Sequence, residues 1–377
     1  METMTSPHLA STSIRVAEIA RALADQPIDR DELPAEVVAE LRATGLYRLC
    51  LPAELGGHSL PLPETVSIIE RLSYADGSTG WCTVVANVSA SLLAGVAESE
   101  ARLIAADPES LLIAGGFPPI GQAEQVGDSY RLSGRWPFAS GCLTADWFLG
   151  GVMVAPVDGG APAPRVAFFP ASEARIIRNW DVIGLRATGS HDVAAEQITV
   201  PMRRTTTLFG GPRWSNDPIA AIPFFALSPL LAAVPLGIAQ RAVDELGQLA
   251  TTRVPLGQRQ SIAHDPAFQD QLGTVLARLG ALRAYLLDSA DTLWHSALTG
   301  AVTPPIQAST SMVAAEAIET ALAAVHFAHR AGGTTSIRNP SVLTRCLNDV
   351  LAASRHAVFR PTARRNAARA LLGLPLD

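Results

Sequence analysis

Two short stretches of this sequence hold side chains of the kind that steer protons. The first is Trp136-Pro137-Phe138-Ala139-Ser140-Gly141, followed by Trp147, where one hydroxyl sits among aromatic and small residues. Ser140 can offer a donor and acceptor lone pairs to a planar ligand resting on Phe138, or merely cap its own turn at a strand end. The second is Arg345-Cys346-Leu347-Asn348-Asp349-Val350-Leu351-Ala352-Ala353-Ser354-Arg355-His356. Spacings of four and seven put Arg345, Asp349 and His356 on one helical face. A histidine titrates near neutrality, so His356 suits acid–base work, although a polar helix residue hydrogen-bonded in a core reads the same way. Thr188-Gly189-Ser190 supplies small residues that let a ligand approach the backbone, or else forms a plain β-turn. Ser190-His191-Asp192 is not a hydrolase triad, because adjacent strand residues point to opposite faces. His326 and His329 share a helix face but lack a third ligand, so no metal is expected.

The elements that must position these residues are bounded by composition. At 377 residues and 48% hydrophobic, the chain is long enough for two or three domains and can bury a large cofactor. A net charge of −6 with 17% charged residues argues against nucleic acid, since phosphate binding needs clustered cations. Arginine supplies all 29 cations and lysine none, a bias that fits base composition of the genome better than selection for anions. Cys50, Cys82, Cys142 and Cys346 form no C-x-x-C pair, which fits a reducing cytoplasm without a disulfide framework. The N-terminal residues 1–13 lack a secretory pattern, and no run is expected to reach the roughly 18 apolar residues of a membrane span. The expectation is a cytoplasmic protein without a membrane partner.

Apolar residues recur at helical spacing from Ile14 to Leu46, with Gly45 placed to close a helix, then through Ile68, Ile69 and Leu72, and from Trp81 to about Ile104. Residues 1–110 therefore read as a helical domain. From about Leu111 to Pro201 short runs of Val, Ile, Phe and Trp are broken by Gly, Pro, Asp and Ser, with a hairpin loop at Gly159-Gly160-Ala161-Pro162. Residues 111–205 read as a β-sandwich or barrel. Residues 206–377 are again helical, broken at Val254 to Gly257, Gly300 to Pro305 and Gly332-Gly333, which suits a four-helix bundle. Ser309 to Ala328 carries only Glu316 and Glu319 as acids and no arginine, as a helix facing another subunit or buried within the chain would. The fold class is thus mainly α with a β middle domain.

Local motifs extend that order. Leu51-Pro52-Ala53-Glu54-Leu55-Gly56-Gly57 resembles the P-x-x-x-G-G turn of the acyl-CoA dehydrogenase superfamily, and Ala75-Asp76-Gly77-Ser78-Thr79-Gly80-Trp81 resembles the A-D-G-S-x-x-W segment of its two-component flavin-dependent monooxygenase branch. Gly134 to Cys142 with Asp146-Trp147 resembles that branch's G-x-W-x-F-x-S-G segment, and Trp180 to Ser190 its W-x-x-x-G-L-R-x-T-G-S turn. The stretch Arg345 to His356 resembles R-x-x-R-D-x-x-A-A-x-x-H, departing at Asn348 where an arginine is usual, which puts that position's phosphate or interface role in doubt. The branch includes oxygenase components acting on 4-hydroxyphenylacetate and 3-hydroxy-seco-steroids. The resemblance spans nearly the whole chain.

The resemblance implies an acyl-CoA dehydrogenase-like fold, reduced flavin (FMN or FAD) as cofactor, O2 as co-substrate and oxygen delivery from a C4a-hydroperoxyflavin. It implies Ser140 and His356 as catalytic residues, Ser140 beside flavin N5 and His356 as base toward substrate or partner of the peroxide. Trp136, Phe138, Ala139, Ser140, Thr188, Gly189 and Ser190 are the implied flavin contacts. Gly332 and Gly333 fall where relatives meet the cofactor of a neighbouring subunit, in a homotetramer, and Arg253 where relatives place an arginine on the flavin's phosphates, although a helix-end arginine favoured by the helix dipole explains Arg253 equally. Trp81, Trp214, Phe224 and Phe225 are expected in the substrate pocket; for the last three, in the 209–225 loop, packing against the bundle is the other reading.

A dehydrogenase must take an α-proton with a carboxylate base. The two family positions for that base are occupied here by Leu227 and by the stretch Val358-Phe359-Arg360-Pro361-Thr362, which has no acid. The chemistry expected is hydroxylation of an aromatic or polycyclic small molecule. The resemblance implies a separate NAD(P)H-dependent flavin reductase as partner, and the lack of a G-x-G-x-x-G nicotinamide motif is consistent with it. Other readings are N-oxygenation of a nucleotide-linked amino sugar, a dehydrogenase with a displaced base, and a catalytically silent scaffold.

Overall fold

The computed structural model describes residues 6–26, 30–155, 160–208 and 210–375. Gly159 of the expected hairpin loop and Phe209 of the 209–225 loop lie outside the described residues.

Helices come first: α1 (Ser6–Ala24), α2 (Ala35–Ala43), α3 (Leu62–Ala75), α4 (Gly77–Ser91) and α5 (Glu98–Ile104). Gly45 follows α2 at φ 75°, a backbone that glycine adopts without a Cβ clash, and its N–H bonds the Arg42 carbonyl. Asp76 separates α3 from α4. Its N–H closes α3 on Leu72, while its carboxylate accepts from the Thr79 N–H at 2.8 Å and the Thr79 hydroxyl at 2.7 Å. This cap sets the start of the helix that carries Trp81. Asp76→Ala is expected to lower stability by about 1 kcal/mol, read as a lower urea midpoint at unchanged slope; an unmoved midpoint would show the cap to be dispensable.

The middle of the chain forms β1 (Ile113–Val126), β2 (Ser129–Trp136), β3 (Trp147–Ala155), β4 (Ala163–Pro170), β5 (Arg175–Ile177), β6 (Asp192–Pro201) and β7 (Thr205–Thr206). Where a sandwich or barrel was expected, these strands join in one mixed sheet of order β5-β6-β2-β1-β3-β4-β7. Only β1 and β3 run parallel among these pairs, with an irregular register between Gly116 and Gly121.

Trp136, expected at the cofactor, is instead a core residue of this sheet. Its side chain is fully buried, its indole N–H donates to the Gly151 carbonyl at 2.8 Å, and its ring packs on Phe169. A Cβ at Gly121, Gly134 or Gly150 would come within 2.7, 2.6 or 2.4 Å of the indole. Those glycines leave room for the ring and so seal it from any ligand.

The last part holds α6 (Pro218–Ala221), α7 (Ser228–Thr252), α8 (Pro266–Leu298), α9 (Pro304–Gly332), α10 (Val342–Ala353) and α11 (Thr362–Leu371). Helix α7 packs on α9, α3 and α10 and builds the largest apolar cluster with them. Two segments are, by length and composition, apolar enough to cross a membrane, contrary to expectation: Phe224–Thr252 and Pro304–Thr335. The most apolar stretch of the first is 94% buried within the protein, as in a core helix; that of the second is 56% buried.

Candidate active site

Four side chains from three segments meet at one buried point. Trp81 on α4 donates its indole N–H to Ser140 Oγ at 3.1 Å. Ser140 Oγ lies 2.8 Å from Ser190 Oγ, and Ser190 Oγ lies 2.6 Å from Thr188 Oγ1. Thr188 donates in turn to the Leu185 carbonyl at 2.8 Å. All four side chains are buried, so every one of these groups depends on its neighbours in place of water.

The local backbone makes this possible. Phe138, two residues beyond the end of β2, is held at φ 62° in a tight turn in which the Ser140 N–H bonds the Phe138 carbonyl at 2.9 Å. The Ala139 N–H bonds the His191 carbonyl and the Gly141 N–H bonds the Thr188 carbonyl, tying this turn to the 185–191 segment. Phe138 itself is 69% exposed and meets Trp180 edge to face at 6.1 Å. A non-glycine residue held at positive φ with an exposed aromatic ring is a strained arrangement, of a sort that clusters where a ligand is gripped.

The 185–191 segment is fixed from behind. Trp180 donates its indole N–H to the Leu185 and Arg186 carbonyls at 3.3 and 3.1 Å. The Asp349 carboxylate of α10 accepts from the Leu185 N–H at 2.6 Å, at a residue whose φ is 52°. A Cβ at Gly184 would lie 2.0 Å from the Asn348 carbonyl oxygen, so only glycine lets the turn sit this close to α10. Asp349 is buried, and desolvation above all pushes its pKa up to about 7. Neither Trp180 nor Asp349 was assigned a role from sequence. Their signal was present in the W-x-x-x-G-L-R spacing and in the acid four residues after Arg345.

His356 closes the site on the other side. Its ring lies edge to face with Trp81 at 5.3 Å and with Phe359 at 6.4 Å. It is not on the helix with Arg345 and Asp349, because α10 ends at Ala353; instead Nδ1 caps the following turn by accepting from the Val358 N–H at 3.3 Å. Solvent reaches the ring, but protein atoms crowd round it, and that desolvation together with Arg360 lowers its pKa to about 4. Arg345 pairs with Asp25 at 2.6 Å.

Ser190, His191 and Asp192 serve separate ends. His191 Nδ1 accepts from the Asn179 and Trp180 N–H groups at 3.0 Å each, which leaves the proton on Nε2, and burial lowers its pKa. Asp192 pairs with Arg135 at 2.6 Å. No proton relay runs along the three.

Other expected residues lie elsewhere. Trp214 donates to the Leu93 carbonyl at 3.2 Å and stacks under Arg102, and Phe224 packs on Phe117 at 4.6 Å, so both take the packing role. Phe225 is 51% exposed beside Phe224. Arg253 bonds the Ala331 carbonyl and lies against Gly333, while a Cβ at Gly332 would strike Ser336 Oγ, so these three form a separate cluster at the end of α9. A cavity of about 780 Å³ lies across the Gly184–Ala187 turn, lined by Asp25, Asp76, Thr79, Arg345 and Asp349 among others, and does not include Ser140, Trp81 or His356. Leu227 is buried in the bundle core, so no carboxylate stands at that base position.

Comparison with known proteins gives this arrangement its lineage. Residues 13–103 match the acyl-CoA dehydrogenase N-terminal domain and residues 230–361 the acyl-CoA dehydrogenase C-terminal domain. The indole-3-acetate monooxygenase of Pseudomonas putida is 32% identical over 345 residues, covering 90% of this chain and 87% of that protein. The chain belongs to the acyl-CoA dehydrogenase family. Within that family it is a flavin-dependent monooxygenase: the FADH(2)-dependent resorcinol hydroxylase, oxygenase component, of a Rhizobium species is also 31% identical over 299 residues, 75% of this chain and 73% of that protein. The fold matches XiaF from a Streptomyces species, solved in complex with FADH2 and glycerol, at a TM-score of 0.90 and 22% identity over 99% of this chain and 97% of that one.

Proposed function

We propose that this family member is the oxygenase component of a two-component system that takes reduced flavin from a separate flavin reductase and hydroxylates an aromatic small molecule of the indole or resorcinol class in the cytoplasm. The observation that carries the reading is Trp81, whose indole joins Ser140 by a hydrogen bond and His356 by an edge-to-face contact. It unites the two polar groups suited to oxygen chemistry, and the base position at Leu227 holds no carboxylate. The substrate class comes from the two aromatic-hydroxylating relatives.

The residues present fit a flavin. Phe138, 69% exposed, offers apolar surface two residues from the buried Ser140 hydroxyl, as an isoalloxazine ring with one polar edge requires. Ser140 would hold that edge, with Phe138, Ala139, Thr188, Gly189 and Ser190 around it. Bound reduced flavin supplies the electrons that activate O2. The chain's own contribution is to orient the edge through Ser140, exclude water through Trp81, and present His356 Nε2–H to the oxygen or substrate. The Arg253, Gly332 and Gly333 cluster serves a neighbouring protomer of a homotetramer.

The test supplies chemically reduced FMN or FAD and ¹⁸O2 with indole-3-acetate and resorcinol. One labelled oxygen in an aromatic product is the expected result. Reduction of bound flavin by an acyl-CoA thioester without label incorporation, or turnover of a nucleotide-linked amino sugar alone, would overturn the reading.

A further inference from the structure

We propose that Thr188 and Ser190 are positioning residues that fix the direction of the Ser140 hydroxyl proton, turning Ser140 Oγ into an acceptor that selects reduced over oxidised flavin. The proposal rests on the reading that Ser140 meets the N5 edge of the flavin.

The argument is a count of protons. A hydroxyl has one proton to give, an indole N–H only donates, and a carbonyl only accepts. The Leu185 carbonyl is the fixed end, so Thr188 spends its proton there at 2.8 Å. The 2.6 Å contact between Thr188 and Ser190 must then use the proton of Ser190. The 2.8 Å contact between Ser190 and Ser140 must use that of Ser140. At the other end Trp81 N–H donates into Ser140 Oγ at 3.1 Å. Ser140 has thus given its only proton inward, and what remains for a ligand is a lone pair.

Reversing the chain would free the Ser140 proton but leave Thr188 Oγ1 and the Leu185 carbonyl as two facing acceptors at 2.8 Å. All four side chains are buried, with Thr188 2% and Ser190 3% exposed, so no water relieves that repulsion. Hydrogen bonds in a row also polarise one another, so a chain whose donors all point inward is strengthened as a unit. Reduced flavin carries a proton on N5 and can donate to the lone pair. Oxidised flavin presents a bare N5 lone pair and meets repulsion. A protein that receives reduced flavin and must discard the oxidised form gains from this difference.

The test measures dissociation constants anaerobically for reduced and oxidised FMN and FAD, in the wild type, Thr188→Val and Ser190→Ala. Wild type should bind the reduced form about ten-fold or more tighter, the size of one hydrogen bond made against one opposed. Thr188→Val keeps the side-chain shape but removes the acceptor for Ser190, so the chain can reverse and the ratio should fall to within about three-fold of unity. Ser190→Ala releases the Ser140 proton directly and should do the same. A ratio unchanged in both variants, or an equal loss of affinity for both redox states such as a merely structural role would give, overturns the inference. Failure of the wild type to bind flavin at all would instead sink the functional reading on which it rests.

Discussion

Replacing His356 with alanine is expected to slow hydroxylation by about 100-fold, the lower end of what one positioned acid–base group contributes, while flavin affinity changes little. The size follows from the place of the ring rather than from any charge. Desolvation by the surrounding protein atoms, together with Arg360, holds its pKa near 4, so at neutral pH the imidazole is neutral. Its Nδ1 lone pair is committed to the Val358 N–H at 3.3 Å, which puts the proton on Nε2. The ring is therefore set to donate a hydrogen bond, and abstracting a substrate proton through Nε2 would first require the tautomer to change and that cap to break.

Two measurements separate these roles. A base should lose activity where the ring protonates, at about pH 4, whereas a donor keeps its Nε2–H on protonation and should show no acid limb of its own. His356→Gln, which keeps an N–H donor but cannot titrate, should recover part of the loss seen in the alanine variant. An acid limb near 4 in the wild type that disappears in His356→Gln would establish the ring as a base.

Much of this site was legible in the sequence because its determinants are local. The helix breaks at Gly45, at Val254 to Gly257 and at Gly332-Gly333 follow from backbone propensities, and the structure places them where those residues stand. Motif register points to Ser140 and His356, and the structure brings both against Trp81. What sequence could not supply was direction. Trp136 lies four residues from Ser140, yet it occupies a space created by Gly121, Gly134 and Gly150 on three different strands, a relation visible only once the sheet is paired. The helical spacing that joined His356 to Asp349 failed because α10 stops at Ala353, where the histidine side chain caps the next turn. By type Trp214 and Phe224 suit a pocket or plain packing, and only the folded chain shows them beside Leu93 and Phe117.

Asp349 makes the second large prediction, and it concerns stability as well as function. Relative to Asp349→Asn, the wild type is expected to lose up to about 1.4 kcal/mol of unfolding free energy per pH unit as the pH rises from about 4 to about 7. In the unfolded chain this acid releases its proton near 3.8; in the folded chain burial, with Asp76 adding repulsion, keeps the proton on until about 7. The folded state thus holds an extra proton across that window. The stabilisation is complete below 3.8 and is lost as the pH passes through 7. Asparagine cannot ionise but still offers an oxygen to the Leu185 N–H, so the two proteins should be alike in acid and diverge toward neutrality. Histidines with lowered pKa push the opposite way, yet they are common to both and cancel in the difference. Asp349→Leu removes the acceptor itself, leaving the buried Leu185 N–H unpaired at a cost of about 1–3 kcal/mol. Because Leu185 also receives the Thr188 hydroxyl, that variant should weaken flavin binding where Asp349→Asn does not. Equal flavin affinity in the two variants would show that the turn holds its shape without Asp349, and parallel pH–stability curves for wild type and Asp349→Asn would show that the carboxylate titrates normally.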